Sequence, residues 1–138
     1  MQTDPDLEIA DYGQVIKLDP KSEAAYVNRS NAYANKRDYD RAFADANRAI
    51  ELNPNIAKAY MHRARSYLHR RDFDRAMADL DKAVSLEPTN SMIFAYRGIV
   101  HEGKGNRTRA IADYRQAISL GTKADWVRER LQRLEAKR

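Results

Sequence analysis

Three arginines and three aspartates recur at one spacing: Arg29 and Asp45, Arg63 and Asp79, Arg97 and Asp113 are each 16 residues apart. A guanidinium and a carboxylate share charge-assisted hydrogen bonds in a planar fork. A fixed offset brings the two groups together if the chain folds back between them. Because each arginine comes with its own carboxylate, the set is expected to be structural ion pairs that fix helix register, not a row of anion sites. A second series has a different spacing. Lys58, His62, Arg65 and His69 follow steps of four, three and four, which lays them along one face of a single helix. Such a basic row suits Asp, Glu or a terminal carboxylate of a partner. The histidines do not form a metal site: His62 and His69 are two helical turns apart, His101 lies far along the chain, and no Cys or carboxylate completes an i, i+4 pair with them. No G-x-G-x-x-G, phosphate loop, G-x-S-x-G or H-E-x-x-H is present. The expectation is a protein without catalytic residues, metal or cofactor.

The elements that must position these residues follow from a repeat. Pro20, Pro54 and Pro88 stand 34 residues apart, each closing a similar phrase, Ile16 to Pro20, Ile50 to Pro54 and Val84 to Pro88. Windows cut at Glu23, Ala57 and Ser91 share 14 of 34 identities between the first two and 8 of 34 between the second and third. In the second half of each window apolar residues fall at i, i+3, i+4, i+7, as in Tyr39, Ala42, Phe43, Ala46, Ala49 and Ile50. Between the halves lie Lys36-Arg37-Asp38, Arg70-Arg71-Asp72 and Gly103 to Asn106, where Asp38, Asp72 and Asn106 can cap a second helix. Each window is therefore predicted to be a helix-turn-helix, stopped by a proline that lacks an N–H and disfavours helix in the residue before it.

This pattern resembles the tetratricopeptide repeat family over residues 23–124. Tyr26, Tyr60 and Phe94 stand for its first aromatic, Ser30, Ala64 and Gly98 for its small residue, Ala42, Ala76 and Ala110 for its buried alanine, and Pro54 and Pro88 for its terminal proline. The sequence departs where Arg29, Arg63 and Arg97 replace Leu, His101 replaces Tyr, Ala46 is small, and Thr122 replaces the last Pro. The resemblance implies an all-α solenoid, a right-handed superhelix whose first helices line a concave groove for an extended peptide. The residues it places there are Asn28, Asn31 and Asn35, then Lys58, Met61, His62, Arg65 and His69, then Met92 and Tyr96. Asparagines can hold a peptide backbone from both sides, cations suit carboxylates, and Met with Tyr gives adaptable apolar area. The carboxylate clamp of chaperone-binding relatives does not carry over, because His62 stands where its Arg belongs.

The expected organisation is one domain over residues 1–138: a half repeat at 4–20, repeats at 23–56, 57–90 and 91–124, and a capping helix at 125–138. Asp4-Pro5 reads as a cap followed by proline at the first helical position, and Thr122 to Asp125 as a capping-box start. Glu8 occupies the position that is alanine in all three full repeats, so either the half repeat has no first-helix partner or the sequence is a piece of a longer protein. Charge is graded, from −3 over residues 1–22 through 0, +2 and +4 in the three repeats to +2 over 125–138. The function expected is an interaction scaffold for a protein or peptide with acidic residues or a C-terminal carboxylate. The alternative is self-assembly through open repeat ends, the chain being a monomer or a weak homodimer through the N-terminal half repeat. Nucleic acid is not expected, since the basic end lacks clustered aromatics for stacking. No membrane span or signal peptide is visible, which favours a cytoplasmic location.

Overall fold

The computed structural model describes residues 3–137, so residues 1, 2 and 138 of the expected domain lie outside the described residues. The described residues form helices only, in the order α1 (Pro5–Leu18), α2 (Glu23–Asn35), α3 (Tyr39–Leu52), α4 (Ala57–His69), α5 (Phe73–Leu86), α6 (Ser91–Gly103), α7 (Arg107–Ser119) and α8 (Asp125–Ala136). None is long and apolar enough to cross a membrane. The pairs α2/α3, α4/α5 and α6/α7 pack as hairpins, α1 lies on α2, and α8 lies on α7. Along the stack α2 also meets α4, and α4 meets α6, which makes one continuous face of first helices.

Local chemistry sets the boundaries. Asp4 accepts from the Asp6 amide at 2.9 Å, Ser22 from Ala25 at 3.3 Å, Asp38 from Arg41 at 3.3 Å, and Asp72 and Asn106 repeat the Asp38 arrangement. Helix α8 is a correction to the capping-box expectation. Its cap is Ala124, whose side chain can accept nothing, and Thr122 Oγ1 instead receives the Ala124 amide at 3.2 Å. The first helices end in a left-handed residue, with the next amide reaching back five positions: Asp38 N to Tyr33 O at 2.9 Å, Asp72 N to Tyr67 O at 2.9 Å, and Asn106 N to His101 O at 2.8 Å. The left-handed positions are Arg37 (φ 66°), Arg71 (φ 59°) and Gly105 (φ 75°). Helix α7 ends the same way at Gly121 (φ 87°), which explains how it stops although Thr122 replaces the proline.

The core is mainly alanine against larger partners. Ala42, Ala76 and Ala110 are fully buried, as are Leu80, Ile93, Val100, Tyr114 and Val127. One pair of columns exchanges volume along the stack. The first-helix residue shrinks from Ser30 to Ala64 to Gly98, while the second-helix residue 16 positions later grows from Ala46 to Leu80 to Tyr114. At the third layer this is contact: a Cβ on Gly98 would lie 2.5 Å from a Tyr114 ring carbon.

Ion pairs fix the register of every hairpin. Arg63 Nε and Nη2 donate to Asp79 at 2.8 and 2.7 Å, Arg29 to Asp45 at 2.7 and 2.8 Å, and Arg97 to Asp113 at 2.9 and 3.0 Å. The carboxylates are buried and the arginines about one-fifth exposed. Hydrogen bonding to the aspartate raises each arginine pKa, so these cations stay charged. Each guanidinium also lies near aromatic rings, Arg63 at 5.6 Å from Tyr60 and 5.9 Å from Tyr67. The third N–H group joins neighbouring hairpins: Arg63 Nη1 donates to Asn47 at 3.1 Å and Arg97 Nη1 to Asp81 at 3.2 Å. A second series, absent from the sequence expectations, runs at a 30-residue offset along the exposed turns, pairing Lys36 with Asp6, Arg70 with Asp40 at 3.2 Å, and Lys104 with Asp74 at 2.8 Å.

Candidate functional site

The face of α2, α4 and α6 opens near the turns into a cavity of about 590 Å3, with Arg130 of α8 at its far wall. Arg65 on α4 is its best-positioned group. Its Nη1 donates to Asn31 Oδ1 at 3.1 Å and its Nη2 to Asn35 Oδ1 at 3.3 Å, both amides coming from α2. The guanidinium lies 5.2 Å from the Tyr96 ring of α6. Two neutral acceptors and a ring face fix its orientation without cancelling its charge. His69, one turn further on, stacks on Tyr39 with centroids 4.4 Å apart.

From the other side, Tyr96 meets Trp126 at 5.9 Å, and Arg130 lies 5.9 Å from the same indole. Arg130 reaches Glu102 at 3.4 Å, and the Tyr114 hydroxyl donates to Glu102 at 2.6 Å from within the core. Burial first, and this bond second, push the Tyr114 pKa up, which keeps the hydroxyl protonated as a donor. Arg37 and Arg71, at the left-handed positions, complete the rim.

The structure thus brings together Asn31, Asn35, Arg65, His69 and Tyr96 of the residues picked from sequence. Asn28 and Lys58 are exposed on α2 and α4 but do not line the cavity, and Met92 packs against the core with Thr122 Oγ1 3.6 Å from its sulfur. Two expectations are corrected. Met61 is 7% exposed and belongs to the core between α4 and its neighbours, so it presents no groove surface. His62 is 4% exposed, and its Nδ1 is buried with no hydrogen-bond partner. Burial first, then the charges of Arg65 and Lys58, lower its pKa to about 3. His62 therefore adds no positive charge near pH 6.5, and the basic row is interrupted after Lys58. A central helix packed between α3, α5, α2 and α6 buries more of its circumference than a periodic stripe suggests.

Trp126, Arg130, Arg37, Arg71 and Glu102 were missed. Extending the 34-residue columns one step finds two of them, since Trp126 follows Met92 and Arg130 follows Tyr96 at that interval. A second cavity, about 530 Å3, lies beside Arg97 on the register ladder, where Asp81, Asp113, Lys104, Arg109 and His101 mix both charges. Among the described residues no group of three His, Cys, Asp or Glu side chains could hold a metal ion.

A family model described as tetratricopeptide repeat matches residues 30–95. The chain carries tetratricopeptide repeats over these residues. The fold agrees: the TPR domain of Arabidopsis OM64 superimposes with a TM-score of 0.75 at 26% identity, over 82% of this chain and 93% of that one. TTC0263, a thermophilic TPR protein of Thermus thermophilus, gives 0.77 at 21% identity over 94% and 72%. The first TPR of Spaghetti (RPAP3), bound to the HSP90 peptide SRMEEVD, gives 0.75 at 20% identity over 85% and 93%. No curated protein matches the sequence. The tetratricopeptide repeat fold supports a protein–protein interaction scaffold.

Proposed function

We propose that this chain holds an extended, acidic segment of a partner protein in the groove formed by α2, α4, α6 and α8. The observation that carries the reading is Arg65, oriented by the Asn31 and Asn35 oxygens over Tyr96 and paired with no carboxylate among the described residues. The ladder arginines, by contrast, are each neutralised by an aspartate. A peptide backbone can use the asparagines and the exposed Lys58 end, while Asp, Glu or a terminal carboxylate meets Arg65. A neighbour of the same fold holds a peptide with consecutive glutamates, which supports the class of ligand. Affinity of about micromolar order, falling with salt, is expected of a rim-charged groove. The test is selection from a random peptide library, followed by titration of the best binder against the wild type and the Asn31→Ala/Arg65→Glu double variant. A loss of at least about tenfold, 1.4 kcal/mol, supports the groove; equal binding refutes it.

A second reading, self-association, is favoured by α1, where Leu7, Val15 and Leu18 are exposed and no residue is buried. Light scattering across a concentration series, with Leu7→Ser/Leu18→Ser as control, tests it: a mass that rises in the wild type alone supports it.

A further inference from the structure

Arg37, Arg65 and Arg71 line one cavity and form no ion pair among the described residues. Three like charges around about 590 Å3 repel one another while the cavity is empty. Two of them also occupy backbone that favours glycine: Arg37 and Arg71 have φ of 66° and 59°, and the third repeat places Gly105 there. Arg65 uses two of its five N–H donors on asparagines and keeps three. The donor supply exceeds what one carboxylate, with two oxygens, can use.

We propose that this cavity receives a phosphorylated serine or threonine side chain of the partner peptide, with Arg65 and Arg71 as its main ligands and Arg37 closing over it. This rests on the groove reading above and specifies its occupant. A phosphate monoester brings three acceptor oxygens and a charge near −2, which matches several forked guanidiniums better than a carboxylate does. Glu102 repels an anion at the far wall, but its oxygens are engaged by Tyr114 and Arg130, so the phosphate sits at the Arg65 and Arg71 side. Trp126, the single tryptophan, lies 5.9 Å from Tyr96 and reports on occupancy by fluorescence.

The experiment uses three immobilised peptide libraries, with random flanks around a fixed phosphoserine, glutamate or serine. The whole chain is passed over each, as wild type and as Arg65→Gln, Arg71→Gly and Arg109→Gln, all checked for an unchanged helical circular-dichroism spectrum. Expected is retention on phosphoserine at least about tenfold above glutamate, reduced about fivefold or more by Arg65→Gln or Arg71→Gly and untouched by Arg109→Gln. Excess inorganic phosphate should compete only weakly, because the peptide supplies part of the binding; full competition at low millimolar phosphate means a free-phosphate site and overturns the proposal. Equal retention on phosphoserine and glutamate, both weakened by Arg65→Gln, overturns the phosphate preference and leaves the groove reading standing. Retention that ignores both groove substitutions overturns the two together.

Discussion

Gly98→Ala is the most direct probe of how this stack fits together. The added Cβ would lie 2.5 Å from Tyr114 Cε1 and 2.7 Å from Cδ1, so the ring must withdraw by about 1 Å to reach ordinary contact. Tyr114 is fully buried, and its hydroxyl is tied to Glu102 at 2.6 Å, so withdrawal also pulls on the groove wall. Overpacking of this kind costs about 1–3 kcal/mol, and replacing glycine by alanine within a helix returns about 1 kcal/mol, so the net loss is up to about 2 kcal/mol. The sign should reverse in a Tyr114→Leu background. There the layer becomes alanine against leucine, the combination the preceding repeat has at Ala64 and Leu80, and only the helix gain of about 1 kcal/mol remains. Tyr114→Leu alone should lose about 2–3 kcal/mol for the ring and its hydrogen bond. Urea unfolding followed by circular dichroism on the four proteins should give a coupling of about 1–3 kcal/mol. Gly98→Ala acting with one sign and size in both backgrounds would refute the volume exchange.

The register ladder and the buried histidine lead to further expectations. Arg63→Ala and Asp79→Ala should each destabilise by about 2–4 kcal/mol, since either leaves a partly buried charge unpaired, and the double variant should lose less than their sum in a denaturant cycle; strict additivity would show the pair to be uncoupled. Unfolded His62 titrates near 6.5 and folded His62 at about 3, so the unfolded chain takes up the proton first as pH falls. Stability is therefore full above about pH 6.5 and declines below it, by about 2 kcal/mol at pH 5, with His101 shifted in the same direction by burial. Melting curves at pH 7 and 5 for wild type and His62→Leu check this, and a variant with undiminished pH dependence would assign the effect elsewhere.

What the sequence made legible were features that repeat in phase. The 34-residue period, the helix-turn-helix windows and the arginine–aspartate offset each recur three times, and the contacts behind them need only two helices in a fixed hairpin. Arg65 and its two asparagines were legible because they lie on adjacent first helices, 34 and 30 residues apart. His62 was not, because periodicity marks an apolar stripe but not how many neighbours surround a helix, and α4 has four. Arg37 and Arg71 were read as turn residues, since nothing in their type announces a left-handed backbone. The 30-residue ladder was within reach of an offset search, Asp6, Asp40 and Asp74 all lying in the first turn of a helix.

The third N–H of each ladder arginine has a consequence for the order in which the molecule comes apart. The residue it meets on the preceding helix is a carboxylate for Arg97 and an amide for Arg63; for Arg29 the residue at that offset is Gly13, which has no side chain to offer. This arginine link between successive layers is thus graded along the chain, missing at α1, where the exposed Lys36–Asp6 pair is left, neutral in the middle and ionic near the end. In a linear array of nearest-neighbour interfaces, opening begins where the interface is weakest. Amide hydrogens of α1 should exchange first, those of α2 and α3 next, and those of α6 and α7 last, so that α1 can detach while the peptide groove between α4 and α6 is still intact.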